Sequence, residues 1–271
     1  MKKRKKGLFL LISLLLLAAM LAGCGKDKAD GQQTIKIGVT SGPYHEILQK
    51  VQKLAKKQGI DIQLTVFNDF IQPNQGMEEG SLDANAYQTI PFLENYKSDV
   101  KKSDIVPIWK TVTSRDGLYS NKYKNVKALP KGATIGIPKD PANTARALYV
   151  LQQAGLVKIK TGLGEKATPN DVISNPKHLK FKLLDEAMLP RSVQSLDASI
   201  VLLTYALDAG LDPAKQAIFL EKPSTKYTIW FDVLKKDKDK EVYKKLRKIY
   251  QSKSIKDYIE KRYKGLLVAN W

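Results

Sequence analysis

The chain has 271 residues, enough for one large domain or two modest ones, each with its own core. Hydrophobic residues at 43% and charged residues at 27%, with a formal net charge of +19, exclude a largely disordered chain and a multi-span membrane protein. A single cysteine excludes an internal disulfide, and two histidines, His45 and His178, leave too few ligands for a zinc cluster, so neither a metal nor another cofactor is expected.

Met1-Lys2-Lys3-Arg4-Lys5-Lys6 supplies five positive charges, and an uncharged leucine-rich stretch runs from Gly7 to Gly23. Small residues then lead into Cys24, and Gly25-Lys26-Asp27-Lys28 turns polar, an order that predicts a signal peptide over residues 1–23. Leu21-Ala22-Gly23-Cys24 resembles the bacterial lipobox, which implies cleavage before Cys24 and acylation of its sulfur. The competing reading is an uncleaved anchor in which Cys24 is incidental. Two or three acyl chains hold a protein on a lipid bilayer where one binds only marginally. Residues 24–33 then form the lipidated cysteine and a polar tether, and the protein is expected on the extracytoplasmic face of the cell membrane. Removing the signal takes away its five positive charges and no acidic ones, leaving +14. That field favours anionic headgroups or wall polymers, and with no nucleic-acid-binding signature no nucleic acid partner is expected. The spread lysines read as solvated faces rather than a specific anion site.

Beyond the tether, short apolar runs alternate with helical patterns, which predicts α/β units around mostly parallel sheets. Thr34 to Val39 reads as a strand, Pro43 opens a helix carrying Ile47, Leu48, Val51 and Leu54 on one stripe, and Asp61 to Phe67 is a second strand. A short helix over 73–79 and strands over 82–87 and 105–112 follow. The pattern restarts at Ala133 to Pro138, after which Asn143 is expected to cap a helix ending near Gly155. Thr168-Pro169-Asn170-Asp171 is expected to start another helix. Strands are predicted at 179–184, 199–203, 217–221 and 227–234, with a short helix at 189–195. Two amphipathic helices, 239–250 and 254–263, close the chain. The restart predicts two lobes.

Enzyme signatures fail, and the chain is read as a non-enzyme. His45-Glu46-Ile47-Leu48-Gln49 begins like a zinc-protease helix but has Gln where the second histidine must stand. Gly162-Leu163-Gly164 follows no strand-to-helix turn and reads as a surface loop. No nucleophile elbow or paired-carboxylate spacing is present. An exported, tethered, two-lobed α/β chain is suited to capturing a small molecule in the cleft between lobes.

Several segments carry a resemblance in one consistent order from Thr34 to Trp271. They are Gly38-Val39-Thr40-Ser41-Gly42-Pro43, Gln72-Pro73-Asn74, Leu82-Asp83-Ala84-Asn85-Ala86-Tyr87-Gln88, Gly117-Leu118-Tyr119-Ser120, Ile137 to Asn143, Arg146-Ala147-Leu148, Leu189-Pro190-Arg191 and Asn270-Trp271. Together they resemble the NlpA family of lipoproteins, the methionine-type substrate-binding components of ABC importers. The resemblance implies a periplasmic-binding-protein-like fold with a ligand cleft, lobe 1 over 34–114 plus 230–271 and lobe 2 over 115–229. It implies an amino acid or short peptide as ligand and an ABC permease as partner. It also places Arg146 as the carboxylate receptor, at a helix start where backbone N–H groups face outward. By residues alone, Arg146 could instead form a surface ion pair with Asp140. With Arg146 goes Asn143, and Tyr87 and Gln88 line the first lobe.

The departures bear on the ligand. Thr89 stands where methionine binders have histidine, and Ser114-Arg115-Asp116 stands at a Tyr-Pro pair. Leu202 and Ile229 stand where the family has two ligand-binding asparagines. Losing both amides would leave a ligand ammonium unpaired unless Asp116 takes over. Methionine is therefore not expected to be the tightest ligand. Arg146→Ala is expected to weaken binding roughly ten- to a hundredfold with the apo fold nearly unchanged. The alternative is an interaction lipoprotein that has lost its small ligand and binds anionic polymers.

Overall fold

The run Gln-Thr-Ile-Lys-Ile-Gly-Val-Thr forms strand β1 (Gln33–Thr40), buried without interruption from Ile37 onward, as suits a central strand covered on both faces. It is the first element of the computed structural model, which describes residues 33–271. The signal segment 1–23, Cys24 and the tether up to Gln32 lie outside the described residues. Gly42 takes a φ of 79°, and Pro43 opens helix α1 (Pro43–Lys56), which buries Ile47, Leu48 and Val51. Strand β2 (Ile60–Phe67), helix α2 (Gln72–Glu78), the two-residue strand β3 (Ala84–Asn85), helix α3 (Ile90–Asp99) and strand β4 (Ile105–Ser114) follow.

The chain then crosses into a second sheet. It runs through β5 (Gly117–Tyr119), β6 (Thr134–Pro138), helix α4 (Pro141–Gln153) and a small antiparallel pair, β7 (Lys158–Ile159) and β8 (Val172–Ser174). Then come β9 (Lys180–Leu184), α5 (Leu189–Ser192), β10 (Ala198–Val201), α6 (Leu203–Asp208), α7 (Pro213–Gln216) and β11 (Ala217–Leu220). A second crossing, 221–227, returns to β12 (Thr228–Leu234), helices α8 (Glu241–Tyr250) and α9 (Lys253–Tyr263) and strand β13 (Leu267–Ala269).

The first sheet has the order β13-β4-β12-β3-β1-β2 and the second β11-β5-β10-β6-β9. Both are mixed rather than mostly parallel. β1 runs parallel to β2 and β3, and β6 to β9 and β10, whereas β12 is antiparallel to β3 and β4, and β5 to β10 and β11. The cause is the double crossing: β4 leaves the first lobe and β12 re-enters it alongside, so the two must run in opposite directions.

Each sheet has its own core. Ile37, Ile47, Leu48 and Phe231 centre the first, where Trp109 stacks on Phe231 at 4.3 Å with 8° between rings. Leu118, Ile135, Ile137, Leu148, Leu151 and Ile200 centre the second. Buried apolar area at about 25 cal/mol per Å² is the main stabilising term in each. No helix of the described residues is long and apolar enough to cross a membrane.

Several local expectations need correction. The strand expected over 82–87 narrows to Ala84–Asn85. Asp171 does bond the backbone N and hydroxyl of Thr168, at 2.9 and 2.7 Å, but only a single 3-10 turn, Pro169–Asp171, follows before β8. β-branched Val172 and Ile173, with Pro176 close behind, favour an extended chain there. Asn143 does not cap α4. The cap is Asp140, whose side chain accepts from Asn143 N at 2.9 Å. The apolar run after Ser199 also breaks earlier than expected, Leu203 opening α6.

Candidate functional site

The site forms where the two crossing segments meet. Glu221 N donates to Asp116 O at 2.9 Å, so the segments pair backbone to backbone, and Asp116 N donates to the Glu221 carboxylate at 3.1 Å. Helix α4 delivers Arg146 to this junction from the second lobe. Its Nη2 donates to Glu221 Oε2 at 2.6 Å and to the Ser114 carbonyl at 2.9 Å, and its Nε lies 3.2 Å from both Glu221 and Asp116 carboxylate oxygens. The Tyr227 ring covers the guanidinium at 4.4 Å. Arg146 is 4% exposed and Asp116 and Glu221 are 2% each, so this is a buried cluster of one cation and two anions. Asp140 is not its partner but serves as the helix cap.

Burial pushes the Asp116 carboxyl up to about 6, with Arg146 pulling it down and Glu221 pushing it further up. Burial alone would lower the Arg146 pKa, but Asp116 and Glu221 more than offset it and hold the guanidinium charged. The other Asp116 oxygen accepts from Leu203 N at 3.1 Å, at the start of α6. Tyr44, its hydroxyl pushed up by burial, lies close enough to Ser114, Asp116, Arg146 and Thr204 to interact with each.

Around this cluster a narrow cavity of about 30 Å³ remains between the lobes, on the scale of one or two water molecules. The structure brings Tyr87, Gln88, Thr89, Ser114, Asp116, Asn143, Arg146, Leu202 and Ile229 to its wall. Arg115 is not brought there: it is half-buried, and its Nε donates to the Glu221 backbone carbonyl at 2.6 Å. Gln88 reaches the wall with its amide already engaged. It exchanges bonds with the Asn74 amide at 2.8 and 2.9 Å and donates to Asp232 at 3.0 Å, so its role is to brace the first lobe. Tyr87 commits its hydroxyl to the Phe70 carbonyl at 2.5 Å and presents a ring. Thr89 caps α3, and Asn143 Nδ2 donates to Asp140 at 2.9 Å. Leu202 and Ile229 make an aliphatic floor.

Sequence reasoning missed Tyr44, Phe70, Phe92, Leu203 and Thr204 in the wall and Glu221 behind it. Phe70 is the centre of an aromatic group, with Tyr87 at 5.9 Å, Phe92 at 5.8 Å and Tyr205 at 5.3 Å. The Tyr205 contact spans the lobes, as do the bond from Tyr205 Oη to the Asn68 carbonyl at 3.1 Å and that from Ser41 Oγ to Asp208. The lobes are therefore closed over the cavity.

The chain can be set beside known proteins on these features. The model of the NlpA lipoprotein family matches residues 35–271. The D-methionine-binding lipoprotein MetQ of Salmonella typhimurium is 36% identical over 266 residues, covering 97% of each chain. Outer membrane lipoprotein 3 of Mannheimia haemolytica is 35% identical over 252 residues, covering 93% of this chain and 94% of its own. Among solved structures, a nutrient binding protein from Burkholderia cenocepacia bound to methionine is similar with a TM-score of 0.83 and 43% identity, over 88% of this chain and 100% of that one. Sequence order, fold and these matches agree that the chain belongs to the NlpA lipoprotein family.

Proposed function

We propose that the protein is the substrate-binding lipoprotein of an ABC importer, which captures an amino acid or short peptide in the inter-lobe cavity and hands it to a membrane permease. The observation that carries this reading is the inter-lobe cavity, with Arg146 and Asp116 at one end and aromatic and aliphatic side chains around the rest. One end meets charged or polar groups of a ligand and the other an apolar side chain. Relatives named for D-methionine binding, and a structural relative holding methionine, support a ligand of this kind. They do not favour the anionic-polymer alternative. Arg146 has two of its three guanidinium nitrogens taken by protein acceptors, so a ligand carboxylate would meet Nη1 alone rather than an open fork. Acylated Cys24 would hold the protein on the extracytoplasmic face, within reach of the permease.

A thermal-shift screen of the purified lipoprotein in detergent against amino acids and short peptides tests the reading. A saturable rise in melting temperature for at least one compound is expected, because a ligand that binds only the folded state stabilises it by mass action. A flat response across the whole panel would overturn it.

A further inference from the structure

We infer that the cavity selects ligands of net charge plus one over zwitterionic amino acids, because Asp116 and Glu221 set two buried carboxylates against the single guanidinium of Arg146. The inference rests on the importer reading and names the ligand class for the same cavity. Among the described residues, Arg146 is the one cationic residue in the cavity wall, and no lysine lines it. With all three groups ionised the cluster carries an excess negative charge at 2–4% exposure, where water cannot screen it.

Besides Tyr44 and the Asp116 N–H, which donates to the Glu221 carboxylate at 3.1 Å, three further groups bear on that excess. Arg115 is half-buried, and among the described residues no ion pair joins it to either carboxylate; its one side-chain hydrogen bond is to the Glu221 backbone carbonyl. Leu203 N offers Asp116 a single backbone dipole. Asp232, behind Gln88, has no ion-pair partner among the described residues and would add negative charge if ionised. None of these cancels the excess. The upward displacement of Asp116 comes first from burial, with Arg146 opposing it and the Glu221 charge adding to it.

A zwitterion brings no net charge and leaves the excess in place. A singly positive ligand cancels it. Two chemistries qualify: a primary amine with an apolar body and no carboxylate, or an amino acid whose side chain carries a second ammonium. The rest of the wall suits either body. Phe70, Tyr87 and Phe92 give the wall three aromatic rings that suit a cation, and Leu202 and Ile229 offer no amide to a carboxylate.

Calorimetry at pH 7.5 on the mature lipoprotein in detergent tests this with matched pairs that change charge and little else. The pairs are 3-(methylthio)propylamine against methionine, and lysine against norleucine. In at least one pair the singly positive member is expected to bind tighter by about tenfold or more. Asp116→Asn keeps the acceptor for Leu203 N while removing one charge, so it is expected to erase that preference. If Asp116→Asn does not fold, Glu221→Gln removes one charge from the same cluster. Saturable binding in which each zwitterion matches or beats its partner would overturn the charge inference while leaving the importer reading intact. Failure of these four compounds together with every amino acid and peptide screened would overturn both.

Discussion

Arg146 ties the ligand site to the fold. On sequence alone its replacement was expected to cost affinity and little else, but the structure surrounds it with Asp116, Glu221 and the Ser114 carbonyl. Removing one partner of a buried ion cluster leaves uncompensated charge, so Arg146→Ala should lose roughly 3–5 kcal/mol of folding stability in urea titrations. Arg146→Lys, which keeps the charge but not the planar fork, should fall between the two proteins. A second buried acid makes a pH signature. Burial lifts Asp232 to about 7, against the pull of Gln88 and Lys97. Because that lies above the value of an unfolded carboxyl, the native state holds the proton more tightly. Its stabilising contribution is complete in acid and lost as pH rises through 7. The apo protein should therefore melt roughly 5 °C higher at pH 5.5 than at pH 8, with Asp232→Asn flattening part of the slope. Parallel curves for the two proteins would refute the assignment. The places of Arg146, Tyr87, Leu202 and Ile229 in the wall were legible in the sequence because each lies in a recognisable segment. Glu221 was not: it sits 75 residues from Arg146 and 105 from Asp116, and only folding brings the three together.

At the scale of elements, helix α4 decides where Arg146 stands, and Asp140 decides where α4 begins. Its carboxylate satisfies Asn143 N and Nδ2, while the Asp140 N–H reaches Glu186 at 3.3 Å. Asp140→Ala should destabilise the protein by about 1 kcal/mol, the usual cost of a lost N-cap. Asp140→Asn should stay close to wild type, because it keeps the cap and relieves Glu186, which burial and Asp140 push up to about 7. Urea titrations of the three proteins at pH 8 check the order. Most strands and the long helices were readable because their apolar periods are long. Errors fell where a period is short or two signals compete. The capping residues at Thr168 and Asp171 gave way to the β-branched pair after them, and the apolar run from Ser199 hid a strand end and a helix start with no polar residue between. Helix α3 escaped notice because its buried residues, Phe92, Leu93 and Tyr96, span little more than one turn.

At the scale of the whole molecule, the repeated strand-to-helix pattern announced two lobes and the resemblance implied two crossings between them, but no residue pattern announced the contacts that close one on the other. Closure rests on contacts between residues more than a hundred positions apart, such as Tyr205 with Asn68 and Ser41 with Asp208. It also places an acidic interior inside a basic exterior, since the chain carries +14 without residues 1–23, while the cavity cluster has one cation for two anions. A cationic ligand is thus repelled at long range and attracted only once inside. The consequence is kinetic. Salt screens the outer field over a Debye length but reaches the desolvated cluster far less, so capture should accelerate with ionic strength while release scarcely changes. Stopped-flow association of a singly positive ligand should quicken roughly threefold between low and physiological salt, the reverse of the slowing seen when steering is attractive. The positive coat would then act as a filter on approach, turning away the very charge that the interior is built to hold until the surrounding electrolyte lets it through.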